Sequence, residues 1–300
     1  MPSRSDTLRA YALLIVTTFL WAGNSVAGKI GAGHVDPVLL TSLRWTIAAI
    51  VIVALSWKHL RADWPVIRRH WPVLLAYGAS GFAVFNMLLY TALTETGVVN
   101  VMIEQAGIPF AIFAGNYLLF RTRATAAQLA GFVLTFAGVI ITATHGDVAR
   151  LMKLQLNTGD ALMLLAVIVY AGYTVGLKWK PPLHWQSLLA VPCVAAALTC
   201  LPFLAWKYAT QPFGLPDATG WGVTLYAALL VALVASATYI AGIELIGANR
   251  AGLFINLLPI FGVLLSIALL HAPLQGFHIA ALALVCAGIV LAEMSRARAA

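Results

Sequence analysis

Residues 20–29 read Leu-Trp-Ala-Gly-Asn-Ser-Val-Ala-Gly-Lys, and residues 169–178 read Val-Tyr-Ala-Gly-Tyr-Thr-Val-Gly-Leu-Lys. Trp21 thus meets Tyr170, 149 positions on, Ser25 meets Thr174 and Lys29 meets Lys178. The same offset carries Tyr77 to Tyr226, Tyr90 to Tyr239, Glu95 to Glu244 and Asn100 to Asn249. One residue is then gained, and at an offset of 150 Pro109 meets Pro259 and Ala137-Gly138 meets Ala287-Gly288. An ordered series across both halves marks a duplicated unit, and such a period constrains the fold before any single element is assigned.

The unit belongs in a bilayer. The chain is 62% hydrophobic and 9% charged, with mean hydropathy +0.92. A soluble domain carries roughly 25% charged residues to face water. A spanning helix needs about 20 mostly apolar residues, and ten segments qualify: 11–30, 39–57, 72–95, 98–119, 125–144, 158–178, 187–207, 220–243, 251–270 and 275–293. Five per copy is odd, so the second copy enters the membrane the opposite way round. The expected fold is all-α and integral to the membrane, with ten transmembrane helices as two inverted five-helix repeats, 1–150 and 151–300. Inverted repeats of this kind build secondary transporters, with the site near the midplane between the copies.

Charge sets the expected orientation. With the N-terminus inside, only Lys29, Arg44, Arg150, Lys153 and Lys207 fall outside, which leaves 13 of the 18 Lys and Arg residues inside. That asymmetry places both termini in the cytoplasm. The net charge of +8 therefore reflects membrane topology and gives no support to a nucleic-acid partner. Arg4 and Arg9 ahead of an apolar run look like a signal peptide. Residues 11–30 are long enough to span and match an internal segment, so the first helix is expected to remain. Cys193, Cys200 and Cys286 all lie in apolar segments without a CxxC spacing and read as small packing residues.

Pro109 and Pro259 fall near the middle of the fourth and ninth segments. Each lacks the N–H that would reach the carbonyl four residues back, at Gln105 and Ile255. They read as matched hinges between outward- and inward-facing states. Gln105, Asn256, Asn24 and Asn86 are amides at depth, equally readable as substrate contacts or as helix–helix glue. Trp21, Tyr77, Tyr90, Tyr170, Tyr173 and Tyr239 lie inside spans, where each tyrosine hydroxyl needs a partner. A cavity of aromatics and amides suits a neutral or zwitterionic organic solute. Trp45, Trp57, Trp64, Trp71, Trp185, Trp206 and Trp221 read instead as interfacial belt anchors.

Glu104 sits about two turns into the fourth segment. An ionisable residue within a span is a functional candidate by default, and proton coupling is one role for it. The favoured reading is a carboxylate near the helix end that reaches water or pairs with a base. Arg44 is expected to snorkel to the interface, and Lys29 and Lys178 to be solvated anchors. Gly131 and Gly138 on the fifth helix, with Ala281 and Gly288 on the tenth, form small-residue stripes suited to close packing, structural in role. No HExxH, Walker A or GxSxG pattern is present. Neither a metal, a cofactor nor an enzymatic nucleophile is expected.

The ordered set resembles the EamA-type ten-helix members of the drug/metabolite transporter (DMT) superfamily over essentially the whole chain. It runs from Trp21-Ala22-Gly23 to Lys29, through Pro37 and Arg44, to Gly97-Val98-Val99-Asn100, Pro109 and Phe110. It continues with Gln128-Leu129-Ala130-Gly131, Ala137-Gly138-Val139 and Gly159-Asp160. Ile246-Gly247-Ala248-Asn249, Pro259 and Ala287-Gly288-Ile289 close it. Where that family often places a glutamate after the fourth and ninth helices, this chain has Arg121 and His271. The pattern is most similar to YddG-type exporters of aromatic and other neutral amino acids. The resemblance implies an inner-membrane exporter working by alternating access. The expected partners are a small-molecule substrate and the lipid bilayer, with no nucleic acid; the sequence leaves the oligomeric state open, with a monomer as the expected functional unit. Facilitated diffusion is the simplest energetics; a proton-coupled multidrug or metabolite exporter is the alternative. A nucleotide-sugar carrier would show basic residues deep in the spans, and a membrane enzyme would show paired acids or a nucleophile with its base. A receptor would not require matched proline bends.

Overall fold

A computed structural model describes residues 4–121, 126–144, 146–147, 157–246, 251, 254–255 and 257–299. Asn256, Asn249, Arg123, Arg150 and Lys153 lie outside the described residues. Among the described residues, seven helices are long and apolar enough to cross a membrane: α1 (Ser5–Gly31), α2 (Pro37–Arg69), α3 (Trp71–Glu95), α4 (Val98–Phe120), α6 (Thr158–Trp179), α7 (Trp185–Thr210) and α8 (Ala218–Ile246). Three further helices are apolar, α5 (Ala126–Ala143), α9 (Leu258–Leu270) and α10 (Gly276–Ala299).

Local chemistry fixes several helix starts. Asp36 accepts from the Val38 and Leu39 amides ahead of α2, with Pro37 at its first position. Asn157 caps α6 through the Gly159 amide, and Asp217 caps α8 through the Gly220 amide. α2 runs 12 residues past its expected end, through Pro65 to Arg69. Hydropathy marks the apolar stretch, whereas the polar extension is rich in helix-favouring Lys, Arg and Ala and continues the rod.

The two prolines do not bend continuous helices. α4 is broken into Val98–Gln105 and Ile108–Phe120 around Ala106-Gly107, and Pro109 occupies the first turn of the second piece. Pro259 holds the same place in α9. Proline is tolerated there because the first-turn N–H groups have no intrahelical acceptor. Both 13-residue pieces end in a left-handed residue, Arg121 at φ 53° and His271 at φ 50°. Glycine usually takes this helix-closing conformation; here an arginine and a histidine do so.

α3 and α8 each contain a π-helical segment, Gly78–Val84 and Tyr226–Val234, which the sequence reading did not anticipate. At Gly78 a Cβ would stand 2.6 Å from the Ala195 Cβ and strike the Pro192 carbonyl, so α3 closes on α7 there. The α2–α7 interface is built from Trp45, Ala48, Ala49 and Ile52 against Ala190, Cys193, Ala196 and Cys200. Trp45 departs from the interfacial belt: it is buried, its ring is stacked 4.6 Å from that of Phe82, and its Nε1 donates to the Phe82 carbonyl. α2 packs on α7 and α3 along its first half, so an early position in this helix is an inside position. Trp57, Trp64, Trp71 and Trp206 are exposed, as belt residues would be. α5 and α10 meet through their small residues. A Cβ on Gly138 would stand 2.7 Å from the Ala281 carbonyl oxygen, and Gly288 rests on the Gly131 carbonyl and the Thr135 hydroxyl.

Candidate functional site

Four helices bring aromatic rings together. Trp21 of α1 lies 5.1 Å from Tyr239 of α8, centroid to centroid, with the rings tilted by 52°. Tyr170 of α6 lies 4.8 Å from Phe85 of α3. All four rings are half-buried. Gln105, at the break in α4, donates from Nε2 to the Ser25 hydroxyl of α1 at 3.3 Å. The cluster joins residues from both halves of the sequence. Phe85 escaped the sequence reading because it follows the π turn of α3, which rotates the succeeding face away from an ideal α-helical wheel.

Asn24, Asn86 and Tyr90 form a separate buried knot around Arg44. Arg44 Nη1 donates to Asn86 Oδ1 at 2.6 Å, to the Tyr90 hydroxyl at 2.5 Å and to Asn24 Oδ1 at 3.3 Å. Tyr90 in turn donates to Asn24 Oδ1 at 2.7 Å, and Asn86 Nδ2 donates to the Phe82 carbonyl. Arg44 does not snorkel. It is 4% exposed, with its guanidinium 4.6 Å from the Trp45 ring centroid. Burial of a charge demands such hydrogen bonding. The three candidate side chains are occupied by it rather than displayed to a cavity.

Two glycines of the repeated motif explain why α1 needs them. Gly28 lies under the Tyr90 and Leu93 side chains, where a Cβ would stand 2.8 Å from each. Gly23 faces the Tyr226 hydroxyl, which donates to the Leu20 carbonyl. Lys29 is not a free anchor: Nζ donates to the Leu93 and Thr96 carbonyls at 2.8 and 2.9 Å, closing the end of α3.

Tyr77 and Tyr173 sit apart from the four-ring cluster, in a groove of about 610 Å³ between α3 and α6 that is also lined by Val73, Ser80, Gly172 and Trp179. The Tyr77 hydroxyl donates to the Gly176 carbonyl at 2.7 Å, and its ring meets that of Tyr173 edge-on. Tyr170 and Tyr173 are 5.5 Å apart, linking groove and cluster along α6.

A polar group missed by the sequence reading gathers near the starts of α4, α6 and α10. Asp160 Oδ1 accepts from the Thr96 hydroxyl at 2.5 Å and from Asn100 Nδ2 at 3.3 Å. His278 bonds Asn100 Oδ1 through Nε2 at 3.0 Å. The Asn100–Asn249 pairing and the motifs that carry Asn100 and Asp160 were its marks in the sequence. Glu104, one turn beyond Asn100, overturns the favoured reading of a carboxylate reaching water or a base. It is wholly buried, and neither carboxyl oxygen has a hydrogen-bond partner among the described residues. The break after Gln105 packs this piece of α4 inward on every side. At the surface between α1 and α8, His34 Nδ1 lies 2.7 Å from Asp217 Oδ2. The His34 contact, then the Gly220 amide, hold the Asp217 carboxyl below the usual carboxylate range.

The model of the EamA-like transporter family matches residues 8–144 and again residues 157–294. The "Uncharacterized transporter YetK" of Bacillus subtilis (strain 168) is 25% identical over 294 residues, covering 96% of this chain and 87% of that protein. A "Probable amino-acid metabolite efflux pump" of Salmonella typhimurium (strain LT2) is 25% identical over 307 residues, covering 96% and 95%. A solved crystal structure at 20% identity superposes over 99% of each chain with a TM-score of 0.65, a likeness of fold alone.

Proposed function

This chain belongs to the EamA-like transporter family of the DMT superfamily, and from that premise we propose that it exports aromatic and other neutral amino acids, or closely related metabolites, by alternating access. Members of the family are transporters, not enzymes, and act on small molecules in a lipid bilayer. The observation that carries the substrate reading is the two ring pairs that join the halves of the sequence, Trp21 with Tyr239 and Phe85 with Tyr170. Ring faces and hydroxyls recognise a flat, uncharged side chain. The nearby Gln105–Ser25 pair supplies hydrogen-bonding groups for an amino or carboxyl group. The name of the Salmonella relative agrees with this class.

We read the fold as ten spanning helices in two inverted halves, 1–150 and 151–300, in the inner membrane with both termini cytoplasmic. Three repeated features support the pairing of halves. The family model's two matches start 149 residues apart. A π segment recurs in α3 and α8. Thirteen-residue pieces carrying Pro109 and Pro259 close at Arg121 and His271. The breaks beside these prolines are the hinge positions of the reading. The ligand moves the equilibrium only by its differential affinity for the two states.

Counterflow of labelled phenylalanine, tryptophan and leucine into liposomes holding the pure protein tests the proposal. Uptake competed by unlabelled amino acids is expected. Absence of counterflow for every neutral amino acid would exclude the substrate class. A proton-coupled version of the same exporter is the second reading, favoured by the burial of Glu104 without a partner among the described residues.

A further inference from the structure

Glu104 is the one buried carboxyl among the described residues whose two oxygens both lack hydrogen-bond partners. Asn100 stands four residues before it on the same helix face. Asp160 of α6 is tied to that turn of α4 through its Oδ1, which accepts from Asn100 and from Thr96. Those residues adjoin a pocket of about 490 Å³, lined by Thr96, Val99, Asn100, Asn157, Gln275 and His278. His278 Nδ1 accepts from the Gln275 amide at 3.1 Å, which assigns the ring proton to Nε2 and its hydrogen bond to Asn100 Oδ1. Asn100 of α4 and His278 of α10, which meet through this bond, both line the pocket.

We propose that Glu104, with Asp160 beside it, is the binding site of an exchanged proton, reached from the 490 Å³ pocket when the Asn100–His278 contact opens. The inference rests on the transporter reading and supplies its coupling ion. An amide is a poor proton relay, so Asn100 serves as the door and water as the carrier. A proton from pocket water joins a Glu104 carboxylate oxygen and gives a neutral carboxyl. It leaves to water on the opposite side after the halves rock, which restores the carboxylate. Over one cycle one proton moves in and one zwitterionic amino acid moves out. A metal ion would need several converging oxygen ligands, and no group of three His, Cys, Asp or Glu side chains converges so among the described residues. The titratable groups that the surrounding helices carry in this region are Lys29 of α1, Glu95 of α3, Asp160 of α6 and His278 of α10. The described parts of α5 and the whole of α9 carry none. At the equivalent places in the second half of the sequence stand Leu253 and Phe254, so the site has no twin.

Two measurements test it. In proteoliposomes, an imposed pH gradient is expected to raise the concentration of labelled amino acid severalfold above equilibrium, and a sodium gradient is expected to do nothing. Whatever flux Glu104→Gln retains should no longer respond to pH. A wild-type protein with counterflow but no pH response, a sodium-driven response, or a Glu104→Gln variant as pH-driven as wild type would each overturn the proton site and leave the exporter reading standing. Infrared spectra of the pure protein across a pH series need no substrate. A protonated-carboxyl band that titrates and is missing in Glu104→Gln is expected, with the band displaced in Asp160→Asn. Should Glu104→Gln not fold, the Asp160→Asn spectra decide. An unchanged carboxyl band in either folded variant would remove the proposal.

Discussion

Arg44 of α2 reaches the Tyr90 hydroxyl of α3 at 2.5 Å, and every hydrogen-bond partner of its guanidinium among the described residues is a neutral oxygen. A permanent charge is thus held inside the bundle by Asn24, Asn86 and Tyr90, without a counter-carboxylate among the described residues. The knot ties α1, α2 and α3 together at one depth. Tyr90→Phe removes one charge-assisted bond and is expected to cost about 2 kcal/mol. Thermal unfolding in detergent checks this, with Arg44→Met expected to lower the folded yield further than Tyr90→Phe.

The close approach of α5 and α10 is expected to be intolerant of bulk. Gly138→Val places methyl groups where the Ala281 carbonyl already stands 2.7 Å from a Cβ. Overpacking of this kind costs about 1–3 kcal/mol. The monodisperse fraction on size exclusion should fall for Gly138→Val. Gly172→Ala, inside α6 with nothing within 4 Å of its new Cβ, should keep or raise stability, by up to about 1 kcal/mol from helix propensity.

In the aromatic cluster, Trp21→Ala and Tyr239→Ala should each weaken substrate binding roughly 3- to 10-fold, since an aromatic contact contributes about 0.5–1.5 kcal/mol. Tyr239→Phe keeps the ring that meets Trp21 and should change the half-saturation of counterflow less than about twofold. Equal effects of Tyr239→Phe and Tyr239→Ala would shift the role from the ring to the hydroxyl.

Asp217 offers a pH test outside the membrane. Its folded-state pKa lies below the ordinary carboxylate value, with the His34 contact as the main cause. A depressed pKa contributes stability above the unfolded value, near pH 4, and loses it as pH falls through the folded value. Asn can also cap α8, so Asp217→Asn isolates the charge. The melting temperature of wild type should exceed that of Asp217→Asn at neutral pH, and the gap should close below about pH 4.

Helix positions were readable because apolar runs of spanning length leave little freedom, and the pairing of Gly138 with the tenth helix followed from residue size alone. What hydropathy cannot carry is rotation. It locates Arg44, Trp45 and Lys29 along the axis but not around it. Near a helix end the bland expectation is outward, while α7 and α3 turn all three inward. Glu104 was misjudged in the same way, since its distance from water depends on how α6 and α10 close over α4. Tyr77 and Tyr173 were grouped with Trp21 by residue type, whereas the structure sets them in the α3–α6 groove. The π segment ahead of Phe85 leaves no mark in composition, so the partner of Tyr170 could not be named.

The π-helical segments Gly78–Val84 and Tyr226–Val234 also bear on which length changes the chain can absorb. Such a stretch holds one residue more than an α-helix of the same reach needs. Deleting a single residue inside it lets the coil tighten while the flanking rods keep their registers. The same deletion elsewhere in a span would turn every later side chain by about 100°. Related sequences that differ by one position in these helices should therefore carry their gaps here.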